Sequence, residues 1–131
     1  MASRRRKKGR RKRGVYSSIK MKTPMTYRSG WELEYFKYLD SLESVANFFS
    51  ESLKIQYVSN VKTGKTRNYI PDLLVEYVDG NKVLIEIKPS SKISQRVNVK
   101  KFAAAQKYCD VNGIRFQIIT ERDLKELGLL K

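Results

Sequence analysis

The chain has 131 residues, a length that suits one small domain and predicts no second one. It carries 28 Lys plus Arg against 13 Asp plus Glu, a formal charge of +15, so a polyanion such as nucleic acid is the expected partner. One Cys and no His exclude a disulfide framework, a cysteine–histidine zinc site and imidazole as a catalytic base.

The first 14 residues, MASRRRKKGRRKRG, form a basic segment without any acidic residue. It has too few apolar groups to offset the entropy of ordering, so we predict an arm that is disordered in isolation. We expect it to bind DNA phosphates through counterion release. The predicted contacts are Arg4, Arg5, Arg6, Lys7, Lys8, Arg10, Arg11, Lys12 and Arg13. A solvated arm with no specific partner and a basic targeting signal are the alternatives, and we expect neither secretion nor a membrane span.

The first predicted helix covers residues 30 to 43. Ser29 is a suitable N-cap, and apolar side chains then recur every three or four residues, at Trp31, Tyr35, Leu39 and Leu42. The preceding residues, 15 to 27, are mixed in composition and contain Pro24, so we predict an extended arm that leads into the domain.

Strand-like runs follow the helix. VANFF and LKIQYV are predicted strands, and SNVKTGKTR is a predicted basic loop with Gly64 in a turn. Its cations have no acidic neighbour, so we predict three further DNA contacts, Lys62, Lys65 and Arg67. Within 68–91, two apolar runs flank an Asp-Gly-Asn turn, which predicts a hairpin.

The last third of the chain alternates helix and strand. Residues 95–112 are helical in propensity and Gly113 is well placed to end that helix. IRFQII follows as a strand, predicted to lie parallel to the one that ends at Lys88, and Thr120 caps a short helix through Leu127. This order predicts an α/β fold with a central mixed sheet flanked by helices.

The predicted hairpin carries charges where a sheet favours apolar side chains. Asp72 opens its first strand, while Glu86 and Lys88 lie in the second. A three-residue loop, 79–81, would pair residues whose numbers sum to 160. Asp72 would then oppose Lys88 and Leu74 would oppose Glu86, with Asp72 and Glu86 as diagonal neighbours about 7–8 Å apart on one face. A two-residue loop would put Asp72 on the opposite face.

Two acids that converge on a largely apolar sheet repel each other unless a cation lies between them. Mg²⁺ prefers oxygen ligands, with Mn²⁺ as an alternative, and Lys88 could hold a water or steady developing charge. Phosphodiester cleavage needs such parts. The alternative is a surface face on which Glu86 and Lys88 only solvate a strand.

Glu32 has two interpretations. Ser29-Gly30-Trp31-Glu32 matches a capping box, in which Ser29 accepts from the third helical amide and Glu32 bonds back to the N-cap amide. Spacing alone therefore favours a capping role over a metal-binding one.

Pro71-Asp72 followed by Glu86-Ile87-Lys88 resembles the PD-(D/E)XK nuclease superfamily, whose members place an Asp, a Glu and a Lys on adjoining strands around Mg²⁺. YRSGWE, YIPDLLVEY, VLIEIKPSS and FQIITERDLKELG together resemble the head-completion nucleases of T-even-like tailed phages. SGWE, PDLLVEY and EIKP also resemble the TnsA endonuclease subunit of bacterial transposons. The resemblance runs from about Tyr27 to Gly128.

This resemblance implies a restriction-endonuclease-like core within a single nuclease domain at 15–131. It also implies that Glu32, with Glu34 as its substitute, joins Asp72, Glu86 and Lys88 in a catalytic metal site. The implied function is a Mg²⁺-dependent DNA endonuclease acting in phage head completion or DNA end processing during virion assembly. Its expected location is the virion or the host cytoplasm, and phage head or neck proteins are the expected protein partners.

Two other functions remain open from the sequence. A junction resolvase of similar size would share the order of acids and would act as a symmetric dimer on four-way DNA. A non-catalytic DNA-binding structural virion protein could instead keep the nuclease fold.

Overall fold

The computed structural model describes residues 13–131, so the predicted arm contacts from Arg4 to Lys12 lie outside the described residues. Three α-helices occur in this range, at Gly30–Ser41 (α1), Arg96–Asn112 (α2) and Glu121–Glu126 (α3). The strands are β1 (Gly14–Tyr16), β2 (Met25–Tyr27), β3 (Val45–Ser50), β4 (Ile55–Asn60), β5 (Lys65–Tyr69), β6 (Leu73–Tyr77), β7 (Lys82–Ile87) and β8 (Arg115–Ile119).

A four-stranded mixed sheet in the order β3-β6-β7-β8 forms the centre of the fold. The β3–β6 and β6–β7 pairs are antiparallel, whereas β8 returns through α2 to lie parallel to β7. Strand β7 is buried from Val83 to Ile87, as expected for a strand with neighbours on both sides. The predicted α/β architecture and the parallel pairing of the last strand are confirmed.

The sheet has an apolar core on each face. Helix α1 packs on one face, where Phe36, Leu39 and Phe48 are fully buried. Helix α2 packs on the other, where Phe102 and Cys109 are buried, so Cys109 is a core residue as its helical spacing suggests. No helix within residues 13–131 is long and apolar enough to span a membrane.

The helix boundaries agree with their predicted signals. The Ser29 hydroxyl accepts from the Glu32 amide at the start of α1, and Gly113 ends α2 in the left-handed region at φ 69°. At α3, Thr120 forms a capping box with Asp123.

The prediction of an extended arm over residues 15–27 is wrong. Strands β1 and β2 form an antiparallel hairpin in which Gly14, assigned to the basic arm by its sequence, pairs with Tyr27. Asp40 of α1 anchors the connection, because its carboxylate accepts from the hydroxyls of Tyr16 and Ser18 and from backbone amides in the turn.

The predicted basic loop is instead the tip and second strand of a separate two-stranded ribbon, β4–β5. Lys65 and Arg67 lie on β5, and only residues 61–64 form the turn, with Gly64 at φ 74°. Strand β5 escaped prediction because four of its five residues are polar and exposed, so it lacks hydrophobic alternation.

The hairpin of β6 and β7 forms, but the predicted register is wrong by two residues. Observed partners such as Leu74 and Leu84 have numbers that sum to 158, so Leu74 does not oppose Glu86. The amide of Tyr77 donates to the carbonyl of Asn81, and the turn is tightened by the Asn81 amide, which donates to the Asp79 carboxylate at 2.9 Å. Because the shift is even, every side chain keeps its predicted face. If the observed register is continued by one pair beyond Leu73 and Ile85, Asp72 lies opposite Glu86.

Candidate active site

A cavity of about 460 Å³ opens where β6 begins and β7 ends. Its walls include the four predicted catalytic residues together with residues from α1, β5 and α2. The predicted residues are Glu32, Asp72, Glu86 and Lys88. The fold therefore brings all four to one site.

Asp72 lies at the floor of this cavity and is only 8% exposed. Its Oδ2 atom accepts a 2.7 Å hydrogen bond from the backbone amide of Ile87, and Oδ1 lies 3.8 Å from the Arg28 guanidinium. Burial raises the pKa of Asp72 well above its ordinary value, and the charges of Glu86 and Glu32 raise it further. The Ile87 amide and Arg28 therefore do not fully offset the cost of burying the charged form of Asp72.

Glu86 extends into the same cavity from β7 and is 6% exposed. Its Oε1 accepts a 2.7 Å hydrogen bond from the hydroxyl of Tyr69, and its Oε2 lies 3.4 Å from Nζ of Lys88. Burial, followed by the charge of Glu86, raises the pKa of Tyr69, which therefore stays a donor. Sequence reasoning missed Tyr69 because the first part of β5 was predicted as a loop and residues from 68 onward were assigned to the next hairpin, so no strand was expected to bring Tyr69 to Glu86.

Lys88 directly follows β7, and its backbone amide donates to the carbonyl of Ile119 on β8. This bond continues the sheet by one residue, so Lys88 lies two residues from Glu86 on the same face. Its side chain is partly buried, and its ammonium lies at the cavity wall. The alternative of a solvated strand face is wrong, because Glu86 is buried.

Glu32 caps α1 and lines the cavity as well. Its Oε1 accepts from the backbone amide of Arg28 at 3.1 Å, rather than from the N-cap amide that a capping box would use. Burial raises the pKa of Glu32, and Glu51 and Glu86 add to that effect while Arg28 opposes it. Glu34 is not among the cavity-lining residues and pairs with Lys37 at 3.6 Å.

Within residues 13–131, no three acidic, His or Cys side chains converge closely enough to form a ready-made metal centre. The acids instead face donors of the protein itself, the Ile87 amide, the Tyr69 hydroxyl and the Arg28 amide. The donor set nevertheless fits a hard divalent cation, because two buried carboxylates approach from adjoining strands and all ligand atoms on offer are oxygen. Glu32 lines the same cavity and is the third carboxylate available there.

Cations surround the acids. Arg13, Arg28 and Lys101 line the cavity together with Lys88, and Arg28 forms a salt bridge with Glu51 as well as lying near Asp72. The Lys101 ammonium lies 5.7 Å from the centre of the Tyr69 ring. Of these, Arg13 and Lys88 were predicted, while Arg28 and Lys101 were missed because isolated basic residues give no signal in a chain this rich in them.

The mixed sheet, with two buried acids and a lysine at the junction of adjoining strands, defines a nuclease of the restriction-endonuclease-like class. Residues 42–121 match the family described as TnsA-like endonuclease N terminal. The chain is also 32% identical over 126 residues to the head completion nuclease of Enterobacteria phage T4, covering 79% of this chain and 83% of that protein. The chain therefore belongs to the TnsA-like endonuclease family, as its motifs predict. The matched region contains Asp72, Glu86 and Lys88 but begins after Glu32.

Proposed function

We propose that this chain is a divalent-metal-dependent DNA endonuclease that acts in phage head completion. The observation that carries the proposal is the pair of buried carboxylates, Asp72 and Glu86, that share a cavity with the ammonium of Lys88. Ion pairs on a protein surface are not buried in this way. The electrostatic cost of burying two carboxylates together is typical of functional sites.

Asp72 and Glu86 are the residues proposed to hold Mg²⁺ or Mn²⁺, with Glu32 as the third carboxylate. The ion, when bound, would polarise the phosphate and lower the pKa of a coordinated water. Tyr69 orients Glu86 through its hydroxyl, and the Ile87 amide orients Asp72. Lys88 lies where its ammonium can donate to a phosphate oxygen and stabilise charge that develops during cleavage.

The proposed biological setting follows from the relative, which is named a head completion nuclease. This chain would act on packaged DNA or on a DNA end during virion assembly, within the virion or the host cytoplasm. Phage head or neck proteins would be its protein partners. Its formal charge of +15 suits an enzyme that must stay bound to a polyanion.

The test is a cleavage assay on supercoiled, linear, branched and single-stranded DNA, with Mg²⁺, with Mn²⁺ and with EDTA. We expect metal-dependent cleavage by the wild type and none by Asp72→Asn or Lys88→Ala. Both variants should keep most of their DNA affinity, because phosphate binding is spread over many cations. Wild-type turnover in either variant would place the chemistry elsewhere.

The same assay separates the alternatives. Cleavage restricted to four-way DNA by a symmetric dimer would support the junction-resolvase function. Tight binding without cleavage under any metal condition would support the non-catalytic structural function.

A further inference from the structure

The β4–β5 ribbon has no role in the chemistry of the acids. It forms its own two-stranded sheet, with one face on α2 and the other in solvent. The buried face carries Ile55, Tyr57 and Tyr69. Pairing and alternation put the other set, Gln56, Val58, Thr66 and Asn68, on the outer face.

Every side chain of that outer face is exposed and uncharged. Two of them carry amides that can both donate and accept, Thr66 adds a hydroxyl, and Val58 adds methyl groups. Gln56 and Thr66 lie within 3.4 Å of each other, so their polar atoms form one patch. Amide, hydroxyl and methyl groups are the groups that contact base edges in DNA grooves.

Basic residues flank the residues of this uncharged face along the chain. Lys54, Lys62, Lys65 and Arg67 are the charged residues between positions 53 and 70, and this interval contains no acidic residue. Lys62 is in the turn. Lys65 and Arg67 alternate with Thr66 and Asn68, so they leave β5 on the face that carries Tyr69, but both are exposed and their long side chains can reach past the edge of the ribbon. An outer face without charge and a positively charged rim together complement a groove between two phosphate backbones.

The ribbon is also held in place. The Asn60 side chain accepts from the amides of Lys62 and Thr63 within the turn. The Lys100 ammonium of α2 donates to the carbonyl of Ser59 at 2.8 Å, which fixes the ribbon to the helix beneath it. The ribbon would therefore lose little conformational entropy when it binds DNA.

The ribbon leads directly into the catalytic cavity. Asn68 and Tyr69, at the end of β5, both line that cavity, and Tyr69 bonds Glu86. A duplex held by the ribbon would therefore lie close to the catalytic acids, because only a few residues separate Asn68 at the end of the ribbon from Asp72. We propose that the β4–β5 ribbon enters the major groove of double-stranded DNA and places one backbone at Asp72 and Glu86.

Groove dimensions favour this partner over others. Two paired strands lie about 4.8 Å apart, and the B-DNA major groove, about 12 Å wide, admits a two-stranded ribbon with its side chains. The major groove of duplex RNA is too narrow, and a single strand offers no groove at all. The inference rests on the proposed function and specifies its substrate as duplex DNA.

The first experiment measures DNA affinity of the full chain against salt concentration, in EDTA so that no cleavage occurs. The ribbon variant is Lys62→Ala/Lys65→Ala/Arg67→Ala. Its matched control, Lys37→Ala/Lys82→Ala/Lys125→Ala, also removes three exposed basic residues, from α1, from the end of β7 remote from the cavity and from α3. We expect the ribbon variant to lower the log–log slope for duplex DNA by up to about 0.9 × 3 ≈ 2.7, and the control to change it little. Equal effects of the two variants would overturn the proposal.

The second experiment tests the groove. Methyl green, a major-groove ligand, should compete with the wild type for a duplex, and this competition should weaken in the ribbon variant. Gln56→Ala/Thr66→Ala should keep the wild-type salt slope and melting temperature but lose preference among duplex sequences. An unchanged preference together with unaltered methyl green competition would contradict insertion of the ribbon. These binding measurements need no turnover. An inactive wild type would therefore count against the proposed nuclease function, while the binding data alone would still decide whether the ribbon enters the major groove.

Discussion

Asp72 combines burial with two acidic neighbours, so its charged form is unfavourable in the metal-free protein. Its folded-state pKa is raised, so the folded state binds its proton more tightly than the unfolded state does. Stability should therefore fall as pH rises from the ordinary Asp pKa through the raised one. A bound cation would remove this penalty by stabilising the carboxylate.

We accordingly predict that Asp72→Asn raises the melting temperature in EDTA at pH 7, because the amide can still accept from the Ile87 amide while losing the charge. The gain should shrink as the pH is lowered and Asp72 becomes protonated. Mg²⁺ or Mn²⁺ should raise the melting temperature of the wild type but have little effect on the variant. Thermal denaturation at several pH values, with and without metal, checks the prediction. A variant less stable than the wild type at pH 7 in EDTA would show that Asp72 is well compensated.

The hydroxyl of Tyr69 donates to the carboxylate of Glu86, a predicted catalytic acid, at 2.7 Å. Tyr69→Phe leaves a buried carboxylate oxygen without that donor, a loss of about 1–3 kcal/mol. Part of this cost should appear in catalysis, as a cleavage rate lowered by about tenfold or more. Raising the metal concentration should partly restore the rate, because the defect lies in the orientation of Glu86.

Tyr57→Phe is the matched control for this prediction. Tyr57 is buried on the same face of the ribbon but does not line the cavity. Its substitution should leave the rate and the metal requirement unchanged. Equal losses in both variants would reduce Tyr69 to a packing residue.

At the scale of elements, the sequence predicts faces better than registers. Side chains alternate with a period of two, so any hairpin loop with an odd number of residues sets Asp72, Glu86 and Lys88 on one face. The choice between the two odd registers depends on the turn, where Asp79 bonds Asn81 and the loop moves one residue toward the N-terminus. That choice arises from a few local hydrogen bonds and leaves no trace in the hydrophobic pattern.

Elements without an apolar pattern were not predictable. Strand β5 is held by pairing with β4 and contributes one buried side chain, Tyr69. The β1–β2 hairpin likewise depends on a distant carboxylate, Asp40 of α1. Helix α1 was predictable from the Ser29 cap and its apolar stripe, α2 from its helical propensity and Gly113 at its end, and α3 from the Thr120 cap, all of which are encoded within each segment.

Glu32 at the start of α1 has two proposed roles, in capping the helix and in binding a metal ion, and one substitution separates them. Glu32→Gln keeps an oxygen that can accept from the Arg28 amide but removes the negative charge that a metal ligand supplies. We predict a melting temperature within a few degrees of wild type and cleavage lowered by at least about tenfold, or about 1.4 kcal/mol of transition-state stabilisation. Thermal denaturation measures the melting temperature, and the DNA cleavage assay described above measures the rate.

Glu34→Gln is the control, since Glu34 pairs with Lys37 and does not line the cavity. It should cleave normally. Full metal-dependent activity in Glu32→Gln combined with a loss in Glu34→Gln would show that the wrong acid of α1 had been assigned.

For the whole molecule, the distribution of charge suggests a division of labour. Nine of the 28 basic residues lie between Arg4 and Arg13, whereas the ribbon interval 54–67 and the cavity wall carry four each. A dense basic segment contributes affinity without regard to sequence or groove, because it acts through release of counterions from phosphates. Under the two proposals above, the ribbon would set the position of the duplex and the cavity would carry out the chemistry.

Removing residues 2–12 tests this division, since it deletes eight basic residues and keeps Arg13, which lines the cavity. We predict weaker duplex binding and a log–log salt slope reduced by up to about 0.9 × 8 ≈ 7, with smaller values if only part of the segment contacts DNA. At low salt and saturating DNA, the cleavage rate should stay near that of the full chain, because the acids and Lys88 are untouched. Replacing the eight basic residues with Ser and Gly should reproduce the deletion, which separates charge from chain length. An unchanged slope in both forms would assign the segment to a protein partner or to targeting, and a lost cleavage rate at saturation would show that it takes part in positioning the substrate.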